Sequence, residues 1–350
     1  MLVLTILAFV IVLSLLVFVH EFGHFVMARL SKIKVEEFAF GFPPRLISMK
    51  RGETRYSINL IPFGGYVKML GEDKSNPSPD SFSQKKPRVR FSVIVAGVVM
   101  NIVLAGVLFS AGYMMGMAPV RLDPNALGGQ KSFEVVVAEV VGGSPAASAG
   151  LERGDSILGF ASSEEFSKFT HSNLGREVYF SVKKDGRVQE MTVKLSDSES
   201  TPFGVGVVSL PIVKLPFFSA VYAGFKEMLY TTGYIFVMLK DLIVNLFKEH
   251  KVTEQVAGPV GIFNLTGQAV KMGIVYLIQL AAILSINLGL INILPFPALD
   301  GGRAVVVLAE GIFRRRVVKE EIENFFHTLG FVLLMALIVL ITFKELRALF

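Results

Sequence analysis

From Leu2 to Val19 the chain runs 18 residues without a charge, and the run ends in His20-Glu21-Phe22-Gly23-His24. A segment this long and apolar is a membrane span, and lipid tolerates only backbone whose polar groups are satisfied internally. The span therefore reads as a helix from Leu2 to Ala28, closed by Arg29, Lys32 and Lys34. On a helix, His20 and His24 share one face about a turn, or ~6 Å, apart. Two imidazoles at that spacing suit one Zn²⁺, and Glu21 is close enough to take a proton from a water held there. The bland alternative is two hydrogen-bonded histidines beside a paired glutamate. It would bury three ionisable groups in an apolar helix for packing alone, which is costly.

Of the 350 residues 52% are hydrophobic and 18% charged, against the quarter charged that is usual for a soluble chain of this length, so the composition is that of a membrane protein with some soluble content. There is no cysteine, which excludes a disulfide framework and any thiolate nucleophile or ligand. The N-terminal stretch lacks a basic n-region and a small-residue cleavage site, and it reads as a retained span rather than a secretory signal.

Between Arg29 and Arg90 there are 13 Lys/Arg and 6 Asp/Glu, which makes this loop cytoplasmic by the positive-inside rule and puts the N-terminus outside. Residues 38–70 are too apolar and too rich in β-formers for a plain connection. They predict a hairpin turning at Lys50-Arg51-Gly52-Glu53, either dipping into the membrane or lying on its surface. Asp73 to Arg90 reads as a linker. A second span, Phe91 to Met117, carries a small-residue stripe (Gly97, Ala105, Gly106) around Asn101, which reads first as interhelical glue and second as a residue that holds the catalytic helices in register.

Residues 121–214 alternate like strands and carry a mixed charge of 10 Lys/Arg and 12 Asp/Glu, and so form a soluble module placed outside. The stretch 217–255 is interrupted by Lys226, Glu227, Lys240 and Asp241 and predicts a helix lying along the membrane surface. A third span begins near Gly273 and breaks at Pro295 and Pro297 before Asp300-Gly301-Gly302. Asp300 is the best-placed third metal ligand, and the competing reading pairs it with Arg303 at the membrane border. Arg303 and Arg314-Arg315-Arg316 predict a cytoplasmic loop, and a fourth span, Phe325 to Phe343, follows. His171, His250 and His327 have no partner at ligand spacing and read as surface or capping residues.

The fold class expected is thus a polytopic α-helical membrane protein with four transmembrane helices, a membrane-associated β-hairpin and one inserted extracytoplasmic α+β domain. The expected segments are 1–117, with the hairpin at about 35–70, then 121–214, 217–255 and 256–350.

The run Gly143-Ser144-Pro145-Ala146-Ala147 through Gly154-Asp155 resembles a PDZ domain of the bacterial protease-associated type. Together with the histidine motif, Tyr56 to Glu72, the Gly258-Pro259-Val260-Gly261 break and Asn292 to Gly302, the chain resembles the bacterial site-2 proteases related to the regulator of sigma-E protease. The resemblance implies one zinc ion per chain on His20, His24 and Asp300, with Glu21 as general base and Asn292 in contact with substrate or transition state. It makes the hairpin a membrane-re-entrant element and puts substrate contacts at Gly41, Tyr56, Ile58, Leu60, Gly64, Gly65 and Tyr66. The implied substrates are single-span membrane proteins, such as anti-sigma factors already trimmed by another protease, or signal-peptide remnants. The implied location is the inner membrane, with the lipid bilayer as partner and no nucleic acid. The family's Gly-Phe-Gly-Pro turn stands here as Gly41-Phe42-Pro43-Pro44, its Ala-Gly-Pro run as Ala96-Gly97-Val98, and the tandem PDZ pair of some members is a single module. Two rival classes are a transporter or scaffold using Glu21 and Asp300 for ion relay or packing, and a membrane zinc protease with its site in a soluble domain.

Overall fold

The computed structural model describes residues 1–72, 74–184, 186–197, 201–249 and 258–348. Asp185 of the expected turn and His250 lie outside the described residues, as do residues 250–255 of the expected surface segment. Among the described residues four helices are long and apolar enough to cross a membrane: α1 (Leu2–Leu30), α2 (Pro87–Met115), α7 (Ile274–Asn292) and α9 (Glu320–Arg347). Between them lie strands β1 (Val35–Arg51) and β2 (Thr54–Met69), a module of five strands and two short helices, and helices α5 (Phe217–Glu249), α6 (Pro259–Met272) and α8 (Asp300–Phe313). The chain divides into two compact units, one made of residues 1–5, 106–230 and 264–280, the other of 6–105, 231–263 and 281–350.

The first unit contains the soluble module. Its sheet runs β6 (Arg187–Lys194), β5 (Glu177–Lys184), β4 (Ser156–Ile157), β3 (Gln130–Val140), β7 (Val205–Lys214). Helix α3 (Pro145–Ser148) opens with Ser144 Oγ accepting from the Ala147 N–H, and Gly150 ends the turn at φ +78°. Helix α4 (Ser163–Ser172) buries Phe166 against Phe180 and Phe203, alongside Val135, Ile157 and Val182. Below this core, Glu227 is fully buried on α5, where it accepts from Tyr113 Oη at 2.5 Å and from the Arg121 N–H at 2.6 Å. The Glu227 carboxylate on α5 is thereby supplied with two donors, which accounts for this one of the charges that interrupt the helix.

In the second unit the hairpin fills the stretch expected of it, with β2 running through Pro62 to Met69. It also folds back on itself. Phe38 faces Val67 on one side and Tyr56 on the other, and Phe40 faces Gly65 and Ile58. Four short segments thus lie side by side in the order 45–51, 54–59, 37–40, 65–69. The fold hinges at Gly41 (φ +82°), where a Cβ would stand 2.6 Å from the Ile61 carbonyl oxygen. Asn59 Nδ2 donates to the Gly41 carbonyl at 2.9 Å and holds that hinge. The hairpin lies along α1: Phe25 stacks on Phe38 at 4.9 Å, Phe18 contacts the same ring at 5.5 Å, and Ser14 Oγ donates to the Pro62 carbonyl.

The stretch after Asp300 is helical, not the loop its arginines suggest. Asp300 is the first residue of α8, and a Cβ on Gly301 would collide with the carbonyl oxygens of Ile293 and Leu294. Two glycines therefore let the new helix start directly against the broken end of α7. Arg303 consequently sits one turn into α8, where its Nη1 donates to Glu72 Oε1 at 2.6 Å. The competing reading, an Asp300–Arg303 pair, gives way to that contact. On α9, Gly330 packs against Pro297 of the same bend, since a Cβ there would lie 2.5 Å from the Pro297 carbonyl oxygen.

Candidate metal centre

Helix α1 presents different faces to different neighbours. Phe18, Phe22 and Phe25 (spacing i, i+4, i+7) meet the hairpin rings, whereas His20 and His24 turn toward α2. Both histidines are buried, at 6% and 8% exposure. The His24 Nδ1 pairs with the Val93 carbonyl oxygen at 2.8 Å, which fixes the proton on Nδ1 and leaves Nε2 as the free lone pair. The Nδ1 of His20 faces the amide of Asn101 at 3.3 Å. Asn101 is fully buried, its own carbonyl accepts from Ser285 Oγ at 2.7 Å, and its Oδ1 has no partner among the described residues. Turned over about its last side-chain bond, that amide would offer Oδ1 to a proton on Nδ1. This orientation satisfies the orphaned oxygen and leaves the Nε2 of His20 free as well.

Both Nε2 atoms converge on one carboxylate oxygen. Asp300 Oδ2 lies 2.9 Å from that of His20 and 3.3 Å from that of His24. Ligand atoms of the three side chains all fall within 4.8 Å of one another. Tetrahedral zinc with bonds of about 2.0–2.2 Å sets its ligands roughly 3.3–3.6 Å apart, so this donor set of two imidazoles and a carboxylate fits Zn²⁺ with little adjustment. Space for it is left by Gly97 of α2, where a Cβ would lie 2.5 Å from His24 Nε2 and 2.8 Å from His20 Cε1. Gly23 is similarly constrained, since a Cβ there would strike the Ala96 carbonyl. The stripe on α2 thus owes its small residues to the histidines as well as to helix packing.

Glu21 stands beside the centre rather than in it. Its Oε2 accepts from the Val67 N–H at 3.1 Å, and a Cβ on Gly65 would sit 3.8 Å from its Cγ. Val67 and Gly65 belong to the 65–69 segment, whose ladder among the described residues is with 35–40, so the opposite edge is the one facing Glu21. Asn292, at the end of α7, brings Nδ2 to 3.4 Å from His20 Nε2. A cavity of about 140 Å³, lined by Glu21, His24, Val67, Glu72, Asp300 and Arg303 among others, adjoins the group. At ~30 Å³ per liquid water it has room for a few waters.

Five of the residues expected at the site, His20, Glu21, His24, Asn292 and Asp300, are therefore gathered in one place from three helices. Of the hairpin residues, Gly65 reaches Glu21, and Gly64 packs near Val17 and Phe42. Tyr66 pairs with Ala39, and Tyr56 and Ile58 lie on the 54–59 segment, which is flanked on both sides within the sheet. Leu60 is exposed, and Gly41 is the hinge. Gly97 and Asn101 stand in a run of span α2 that the sequence already marks, Asn101 as a residue that could hold the catalytic helices in register. Val93 and Val67 act through backbone atoms and carry no signal of their own in the sequence.

The family model of peptidase family M50 matches residues 8–337. A candidate zinc metalloprotease of Clostridium perfringens is 37% identical over 338 residues, covering 95% of either chain. Another, from Fusobacterium nucleatum, is 32% identical over 356 residues and 99% of both chains. The regulator of sigma-W protease RasP of Bacillus subtilis is 29% identical over 436 residues, again across 99% of both.

Proposed function

Because the chain belongs to peptidase family M50 and is a multi-pass membrane zinc metalloprotease, we propose that it cuts peptide bonds of single-span membrane proteins within or just below the bilayer surface. The observation that carries this reading is the convergence of two Nε2 atoms from α1 on the Asp300 carboxylate, in a frame of apolar helices. In this reading His20, His24 and Asp300 hold the metal. When bound, zinc supplies a Lewis acid for the scissile carbonyl and makes water acidic enough to attack near neutral pH. Glu21 takes the proton of the attacking water and passes it to the leaving amine. The amide of Asn292 donates to the oxygen that gains charge.

A transmembrane helix offers no free carbonyl, so the substrate must unwind before it is cut, and its freed backbone groups need partners. The edge at residues 65–69 supplies them, and a segment added there runs past Glu21. The module at 121–214 acts as a PDZ domain on the extracytoplasmic side, with both termini, and residues 29–90 face the cytoplasm. The module excludes bulky ectodomains, so that the preferred substrates are stubs left by an earlier cleavage. RasP is named as a regulator of sigma-W, and by that likeness anti-sigma factors are among the substrates to test.

The deciding experiment incubates wild type and Glu21→Gln with candidate single-span proteins, with and without a zinc chelator. Wild type should cleave within the span, the chelator should stop it, and Glu21→Gln should keep its zinc while losing roughly 10²–10⁴-fold in rate. A Glu21→Gln enzyme of normal activity would remove Glu21 from its assigned role.

A further inference from the structure

The start of α2 and the end of α8 together form a cationic cleft that plays no part in the metal chemistry. It measures about 380 Å³ and is lined by Lys86, Pro87, Arg88, Glu310, Gly311 and Arg314-Arg315-Arg316. Lys86, Arg88, Arg314 and Arg315, from two segments more than 200 positions apart, thus line one space, joined by Arg316, which also donates to Ser75 Oγ at 3.4 Å. Among the described residues the carboxylate in the lining is already committed, since Glu310 Oε2 accepts from Arg90 Nη1 at 2.6 Å, with Glu310 buried and Arg90 nearly so. Like charges gathered in this way repel one another unless an anion sits among them. Scattered basic residues at a membrane border satisfy the positive-inside rule without converging. Pro87 is the first residue of a spanning helix, so the cleft lies at headgroup depth. Beside it, Ile312 and Phe313 are 75% and 62% exposed, an apolar flank of the kind acyl chains cover.

We propose that this cleft binds the phosphodiester headgroup of an anionic phospholipid, with Ile312 and Phe313 against its chains. The shared chemistry is a phosphate anion, and the apolar flank selects the lipid over free phosphate.

Native mass spectrometry of the full-length protein in non-ionic detergent tests this with phosphatidylglycerol, phosphatidylcholine of matched chains, and inorganic phosphate as separate arms. Phosphatidylglycerol should stay bound where phosphatidylcholine does not, and should resist an excess of inorganic phosphate. An Arg314→Gln/Arg315→Gln variant should bind it roughly 30-fold more weakly, at about 5-fold per charge. The Arg314→Lys/Arg315→Lys variant should keep most of the affinity. Added salt should strip phosphatidylglycerol from wild type, a readout that holds even if the glutamine variant does not fold. Equal retention of phosphatidylcholine, an unaffected glutamine variant, or no salt effect would overturn the site. Displacement by phosphate at concentrations comparable to lipid would overturn the lipid assignment and leave a small-anion site.

Discussion

Adding one methyl group at Gly97 separates the two jobs of α2, packing the bundle and shaping the centre. In Gly97→Ala the new Cβ would begin 2.5 Å from His24 Nε2, against an ordinary contact of about 3.5 Å, so the ring or the helix must yield by roughly 1 Å. For the fold the effect is mild. Overpacking costs about 1–3 kcal/mol, and alanine recovers about 1 kcal/mol of helix propensity over glycine. For the metal it is severe, because ligand distances tolerate only about 0.2 Å. Lost support one shell further out already costs about 10–100-fold in metal affinity, so displacement of a ligand atom itself should cost at least that much. The assay is zinc content after dialysis, read beside thermal unfolding with and without added zinc, which raises the midpoint only of a protein that binds it. Gly97→Ala should unfold near the wild-type temperature without metal and fail to gain from zinc. A variant that holds one zinc per chain with wild-type affinity would refute the reasoning.

Asn101→Ala should lower zinc affinity about 10–100-fold while the helices still assemble, and Asn101→Asp should restore much of it, as competition with a zinc chelator would measure. Glu310→Ala leaves Arg90 buried without its partner and should cost about 3–5 kcal/mol in thermal unfolding, whereas replacing both with Met should cost far less. In the soluble module, hydrogen bonds from Lys271 and then Lys184 hold the Glu152 carboxyl below its ordinary 4.5. Its folded value being depressed, the contribution is complete above about pH 4.5 and disappears as pH falls through the lower folded value. Glu152 is half exposed, so Glu152→Gln should cost under about 1 kcal/mol at neutral pH and nothing in strong salt, as urea titrations at two ionic strengths would show.

The sequence speaks clearly where chemistry fixes the residue type. Two histidines a turn apart, a glutamate between them and an aspartate after a double-proline bend have few other uses inside an apolar helix, and all four meet. The supporting residues are harder to see. Val93 acts through its carbonyl oxygen, which any residue carries, and Gly97 matters only because another helix brings two imidazoles against it. The doubling of the hairpin is hidden for a similar reason, since alternation along a strand says nothing about which segments pair twice. Helix α8 was concealed by its arginines, which read as a loop until Gly301 and Gly302 are seen to let the helix start against the bend.

His20 and Asp300 stand 280 positions apart. At a synthesis rate of ~5–20 residues per second, the aspartate leaves the ribosome on the order of 15–55 s after the histidine. Throughout that interval the nascent chain holds the paired imidazoles without Asp300. With Asp300 as the third ligand, as proposed above, an unfinished copy carries an incomplete metal centre, and its cutting power arrives only once that residue has joined the chain.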